Sequence, residues 1–212
     1  FWGMKKYTAP NVSAWFEHIR KNQVIDVKLL CPYSVKDRAL LGFSNMTESS
    51  ILCFHGDGKV TYFVAEWQFN SAQKNWNILY SEHEWSDPPS KKPQFENNTD
   101  SFRKVLLSIR ELAIKIECEN FAHIFSSAVN LLDGSSEYPD KKYGLELPQI
   151  PQQNLQMFEA ASMADVFGAM GSWNDSPPYM AHKKGLDKEY EILSADLLKN
   201  IRLAILYAIN EW

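Results

Sequence analysis

Trp173, Asn174 and Asp175 sit between two closely spaced glycines, Gly168 and Gly171, and the pair Pro177-Pro178, with His182 a little further on. An indole beside an amide, a carboxylate and an imidazole suits binding chemistry. The ring offers flat apolar contact, and the polar groups fix the orientation of a ligand. Glu66 is the other candidate, a lone carboxylate inside the apolar run "YFVAEWQF", residues 62–69. Facing a core, it would hold its proton more tightly and suit ligand or acid–base work. Each candidate also has a plain structural reading. Asn174 or Asp175 can close an Asx-turn, Trp173 can plug a core, and strand alternation can turn Glu66 to solvent.

Other chemistry is harder to assemble. His18, His55, His83, His123 and His182 lie far apart, with no HxH or HExxH spacing. In "EHE", Glu82-His83-Glu84, a strand would put both carboxylates on one face and the imidazole on the other. No metal ligands and no cofactor are therefore assigned. His55-Gly56-Asp57-Gly58-Lys59 has the glycines of a phosphate cradle, but a two-glycine hairpin turn accounts for them, with His55 in solvent. Gly168 to Gly171 lacks the GxxxxGK[ST] spacing, and Ser172 lacks the GxSxG frame. No catalytic residue is assigned.

Composition narrows the partners. The net charge of -4 comes with no clustered basic face, which argues against a nucleic-acid binder. No stretch reaches the roughly 20 apolar residues that span a bilayer. The cysteines Cys31, Cys53 and Cys118 are odd in number and widely spaced, and each sits in an apolar run. That pattern fits buried thiols in a reducing, cytoplasmic setting. Met4-Lys5-Lys6 resembles a natural start, so Phe1-Trp2-Gly3 are set aside as a leader or cloning remnant.

The elements that position the candidates follow from periodicity. Val12, Trp15, Phe16 and Ile19 recur at helical spacing over residues 10–22, with Asn11 or Ser13 as cap. "VIDVKLL", residues 24–30, alternates as a strand with Ile25, Val27 and Leu29 on one face. A further strand is expected over residues 38–44, a hairpin over 50–69 and another strand over 75–83. The segment 86–98, "SDPPSKKPQFENN", reads as a linker. Helices follow from Thr99 as cap through residue 118, and from about 120 to 132. A loop region spans 134–151. One further helix runs from Pro151 to Gly168 or Gly171, and the last spans about 187–211. In that reading Ala161, Ala164, Gly168 and Gly171 form one small-residue helical face, and Pro177-Pro178 bar helix until Leu186.

The fold expected is α+β: an antiparallel meander of three to five strands within residues 24–85, packed against an N-terminal helix and about four C-terminal helices. It forms a single domain over 4–212, with a β-rich lobe (24–85), the linker (86–98) and a helical lobe (99–212). The leading functional reading is a non-enzymatic protein–protein interaction module of immunity or adaptor type, contacting its partner through the 172–180 loop. The alternative is a small-molecule binder or enzyme with its pocket between the sheet and the 172–182 loop. A homodimer through leftover apolar helix faces is the third.

Overall fold

The structure is a computed structural model and describes residues 7–33, 49–88, 90–135 and 150–212. The expected strand at 38–44, most of the 134–151 loop and the N-terminal residues 1–6 lie outside the described residues. The fold is α+β: one antiparallel four-stranded sheet, an N-terminal helix and a run of C-terminal helices. Contacts divide the chain into two units. One holds the described residues up to Leu30 and Ser49–Lys92; the other holds residues 31–33 and everything described from Pro93 onward.

In the first unit, α1 (Val12–Lys21) starts at Asn11, whose side-chain oxygen accepts the Ala14 N–H at 2.9 Å. That bond satisfies one of the partnerless donors of the first turn. The sheet is a meander in the order β1 (Val24–Leu30), β2 (Ser50–His55), β3 (Val60–Asn70), β4 (Asn75–Glu84). Ile19 is buried on one sheet face with Cys53 and Phe63, and Trp15 stands edge-on to Phe63 at 5.5 Å. Val12 and Phe16, expected on the same stripe, stay 77% and 49% exposed, so only half of the stripe packs.

β1 departs from strict alternation. Val24 pairs with His55 and Asp26 with Phe54, a bulge that takes up one extra residue. The bulge puts Val24 and Val27 on the α1 face and leaves Ile25 in solvent, against the expected Ile25–Val27–Leu29 face. The opposite face buries Leu52, Phe54 and Val60, with Leu30, Tyr62 and Trp85 packed against them.

The β2–β3 turn is tied by its own atoms. Gly58 adopts φ +89°, and the Lys59 N–H donates to Asp57 Oδ1 at 3.0 Å. His55 is not free in solvent: its Nδ1 donates to the Asn22 carbonyl at 3.1 Å, and its Nε2 lies 3.2 Å from Thr61 Oγ1. The imidazole joins the end of α1 to the sheet.

In the second unit, α2 (Thr99–Lys115) packs on α3 (Glu119–Leu132) and α6 (Asp187–Asn210), and α4 (Gln152–Ala164) packs on the same two. The short α5 (Pro177–Lys183) lies on α6. The apolar positions read from periodicity, Phe102, Leu106, Ile109, Leu112, Phe125, Leu197 and Ile201, fill this core. Thr99 is the first helical residue rather than the cap; Asn97 Oδ1 accepts its N–H at 2.9 Å and its hydroxyl at 2.6 Å.

Two expectations fail here. α4 ends at Ala164, so Gly168 and Gly171 belong to no helical face. A Cβ on Gly168 would meet only ordinary contact, 3.6 Å from Ser172, and close helix packing does not account for that glycine. Pro177-Pro178 do not bar a helix; they open α5. A proline at the first helical position removes an N–H that has no intrahelical partner anyway, and its fixed φ suits the turn.

Candidate functional site

Trp173 is fully buried. Its ring stands edge-on to Phe121 and Phe125 at 5.2 and 5.3 Å and stacks on Tyr190 at 5.4 Å. Its Nε1 donates to buried Ser194 Oγ at 2.8 Å, and Tyr190 Oη donates to its carbonyl at 2.7 Å. A buried indole must place its one N–H, and Ser194 on α6 receives it. The side chain that could have been a binding platform is a packing plug.

Asn174 and Asp175 serve the backbone that delivers that plug. The Trp173 N–H donates to the Val166 carbonyl at 2.9 Å, which folds the segment back after α4. Asp175 Oδ2 accepts the Gly171 N–H at 2.8 Å, and Asn174 Oδ1 accepts the Gly168 N–H at 3.4 Å. Gly171 sits at φ +80°, a conformation costly for any residue with a Cβ. His182 is exposed on α5, its Nδ1 2.9 Å from Asp187 Oδ1 at the start of α6. Beside it, Lys184 donates to Glu117 across the α2–α3 turn, and that bond holds the Glu117 carboxyl below the usual carboxylate range. The loop therefore brings Trp173, Asn174 and Asp175 together as a folded turn, with His182 outside it.

Glu66 lies in the first unit, exposed on β3 and paired with Leu79. It shares one face of a ribbon with Gln68, Asn77 and Leu79, and sequence reasoning passed over the other face. β2 has six residues and β3 eleven; among the described residues β2 pairs with Val60–Val64 only, and from Ala65 onward β3 pairs with β4 alone. On one side of this two-stranded extension, Ala65 faces Tyr80, Trp67 faces Ile78 and Phe69 faces Trp76. Trp67, Phe69, Trp76, Ile78 and Tyr80 are 41%, 55%, 57%, 45% and 53% exposed. The rings are ordered among themselves: Trp67 meets Trp76 at 6.4 Å and 73°, and Phe69 meets Trp76 at 5.2 Å. Large apolar groups clustered in water are unfavourable unless something covers them. The signal was present in the sequence as apolar residues at every second position of 65–69 and 76–80. What hid it was the unknown length of the neighbouring strand.

At the inner end of β4, Glu82 and Glu84 share the aromatic face and His83 turns away to stack on Tyr62 at 5.4 Å. Glu84 binds Lys59 at 2.9 Å, and that bond raises the lysine above its ordinary pKa. Burial, with a smaller contribution from the Glu82 charge, pushes the Cys53 thiol up to about 11. Among the described residues, no three His, Cys, Asp or Glu side chains converge as metal ligands, and no helix is long and apolar enough to cross a membrane. The chain matches no family model, no curated protein and no solved structure.

Proposed function

We propose that the chain is a non-enzymatic protein–protein interaction module, and that its contact surface is the apolar face of the β3–β4 ribbon. The observation that carries this reading is the exposure of Trp67, Phe69, Trp76, Ile78 and Tyr80 on one side of a two-stranded extension that carries no second layer among the described residues. Aromatic side chains are enriched at protein contacts because each covers much area with little loss of rotamer freedom. A ribbon also presents them rigidly, since each ring rests on its cross-strand neighbour. The partner surface that fits is apolar. The 172–180 loop, where the sequence placed the contact, spends its indole on the core and its polar groups on its own backbone.

The test compares immobilised wild type with the Trp67→Ser/Trp76→Ser double variant in a lysate, with captured proteins quantified. Asp175→Ala serves as the loop control. The proposal expects a specific partner on the wild type and on Asp175→Ala, and its loss from the ribbon variant at unchanged circular dichroism. Equal capture by all three overturns it.

A further inference from the structure

We infer that the free edge of β4 pairs with the β4 edge of a second copy of this chain, making one continuous sheet across a two-fold axis at Ile78. The inference rests on the proposed contact role of the ribbon and names the occupant of its edge.

β4 is the last strand of the sheet, and among the described residues it pairs only with β3. Its ten residues run without a register shift and contain no lysine and no proline. Those are the devices by which natural edge strands repel one another. The pairing with β3 also fixes which groups face outward. The Trp85 N–H donates to the Val60 carbonyl at 3.0 Å, and in an antiparallel ladder such bonded pairs recur at every second residue. Odd-numbered residues of β4 therefore bond to β3. Trp76, Ile78, Tyr80 and Glu82 turn their N–H and C=O groups to the free edge.

A two-fold axis normal to the sheet keeps the aromatic faces of both copies on the same side. It must then pair even residues with even residues, which is what the outward groups require. Placed at Ile78, the axis sets Ile78 against Ile78 once and Trp76 against Tyr80 twice, and it brings the turn before each β4 toward Glu82 of the other copy. Lys74 is the turn residue just before β4, at φ +52° and outside the ladder, so its long side chain and not a ladder position carries the cation at one end of the edge toward the carboxylate at the other. Moving the axis by one residue to Leu79 sets Trp76 against Glu82, and moving it to Tyr80 sets Ile78 against Glu82. Only the Ile78 axis matches apolar with apolar and opposite charges together. The pairing leaves the aromatic faces uncovered and joins them into one surface twice as large.

The test is the mass of the purified full chain by sedimentation velocity over a range of concentration. Wild type is expected as a concentration-dependent dimer. Lys74→Glu and Glu82→Lys each place like charges at both ends of the shared edge and weaken association by about tenfold. An equimolar mixture of the two variants restores it as a heterodimer, because every pair is again opposite in sign. That restoration also shows that both variants fold. A monomeric wild type overturns the inference, as does a dimer that neither charge variant weakens. A strand from another protein seated on this edge would appear as a monomeric wild type together with capture that Glu82→Lys abolishes. Failure here leaves the aromatic face untouched, since that face is scored separately by capture on the Trp67/Trp76 variant.

Discussion

The indoles of Trp67 and Trp76 meet edge to face across the β3–β4 ladder, 6.4 Å apart at 73°, and keep 41% and 57% of their surface in solvent. Each covers only part of the other, and Phe69 lies closer still to Trp76, at 5.2 Å. Replacing either with Ser should therefore cost the fold little, about 1 kcal/mol or less for a lost cross-strand pair. Dye binding to exposed apolar surface should fall and solubility should rise. Thermal melts beside fluorescence of an apolar probe check this; a collapse of the melting temperature would place the two rings in a core.

Trp173 behaves in the opposite way. Trp173→Ala removes a fully buried side chain and leaves Ser194 without its donor. The expected loss is about 3–5 kcal/mol, read from urea denaturation. Trp173→Phe keeps much of the packing and loses the hydrogen bond, at about 1–3 kcal/mol.

Asp175→Ala releases the Gly171 N–H and should cost only about 1 kcal/mol, because that N–H lies at the surface and bonds to water once freed. An Asp175→Ala variant that is as unstable as Trp173→Ala contradicts the view of Asp175 as a turn clamp.

Local patterns carried the helices and the hairpins. Asn11 caps α1 because its position before an apolar stripe leaves donors to satisfy, and Gly58 marks the β2–β3 turn because only a residue without Cβ takes that φ cheaply. Patterns that depend on a neighbour were not legible. Ile25 alternates correctly but lies at a bulge. Gly168 and Gly171 keep helical spacing beyond a helix that has already ended. Pro177 opens a helix because the chain has just turned back at Trp173. The surroundings of the candidate residues were hidden for the same reason. Trp173 and Trp67 are both indoles beside polar residues; the first meets three aromatic rings from α3 and α6, and the second lies beyond the end of β2, where among the described residues only β4 pairs with its strand.

The thiols give a prediction about reactivity. Cys31, Cys53 and Cys118 are free and buried, and burial raises the pKa of each, that of Cys53 to about 11. The thiolate is the reactive form, so alkylation at pH 8 should be slow for all three in the folded protein and slowest at Cys53. Denaturant should release three fast-reacting thiols. Rapid labelling of Cys53 in the native state would contradict its place beneath α1.

The Glu117–Lys184 bond sets a pH dependence. Glu117 has a folded pKa below its ordinary value. Its contribution is fully present above the ordinary carboxylate pKa and is lost as pH falls through the folded value. Both partners are largely exposed, so the effect is small. Lys184→Met should lower the neutral plateau slightly and flatten the acid limb, so that the two stability curves meet at low pH. An unchanged acid limb shows that the pair contributes nothing.

On the reading proposed above, this chain meets its partner on the β3–β4 ribbon and not on the 172–182 segment. A photo-activated cross-linking amino acid, placed at Trp76 in one variant and at His182 in another, tests it inside the cell. Both positions are exposed, so both report contacts without disturbing a core. Discrete cross-linked adducts from position 76 and none from position 182 are the predicted result. Adducts from position 182 alone would contradict it.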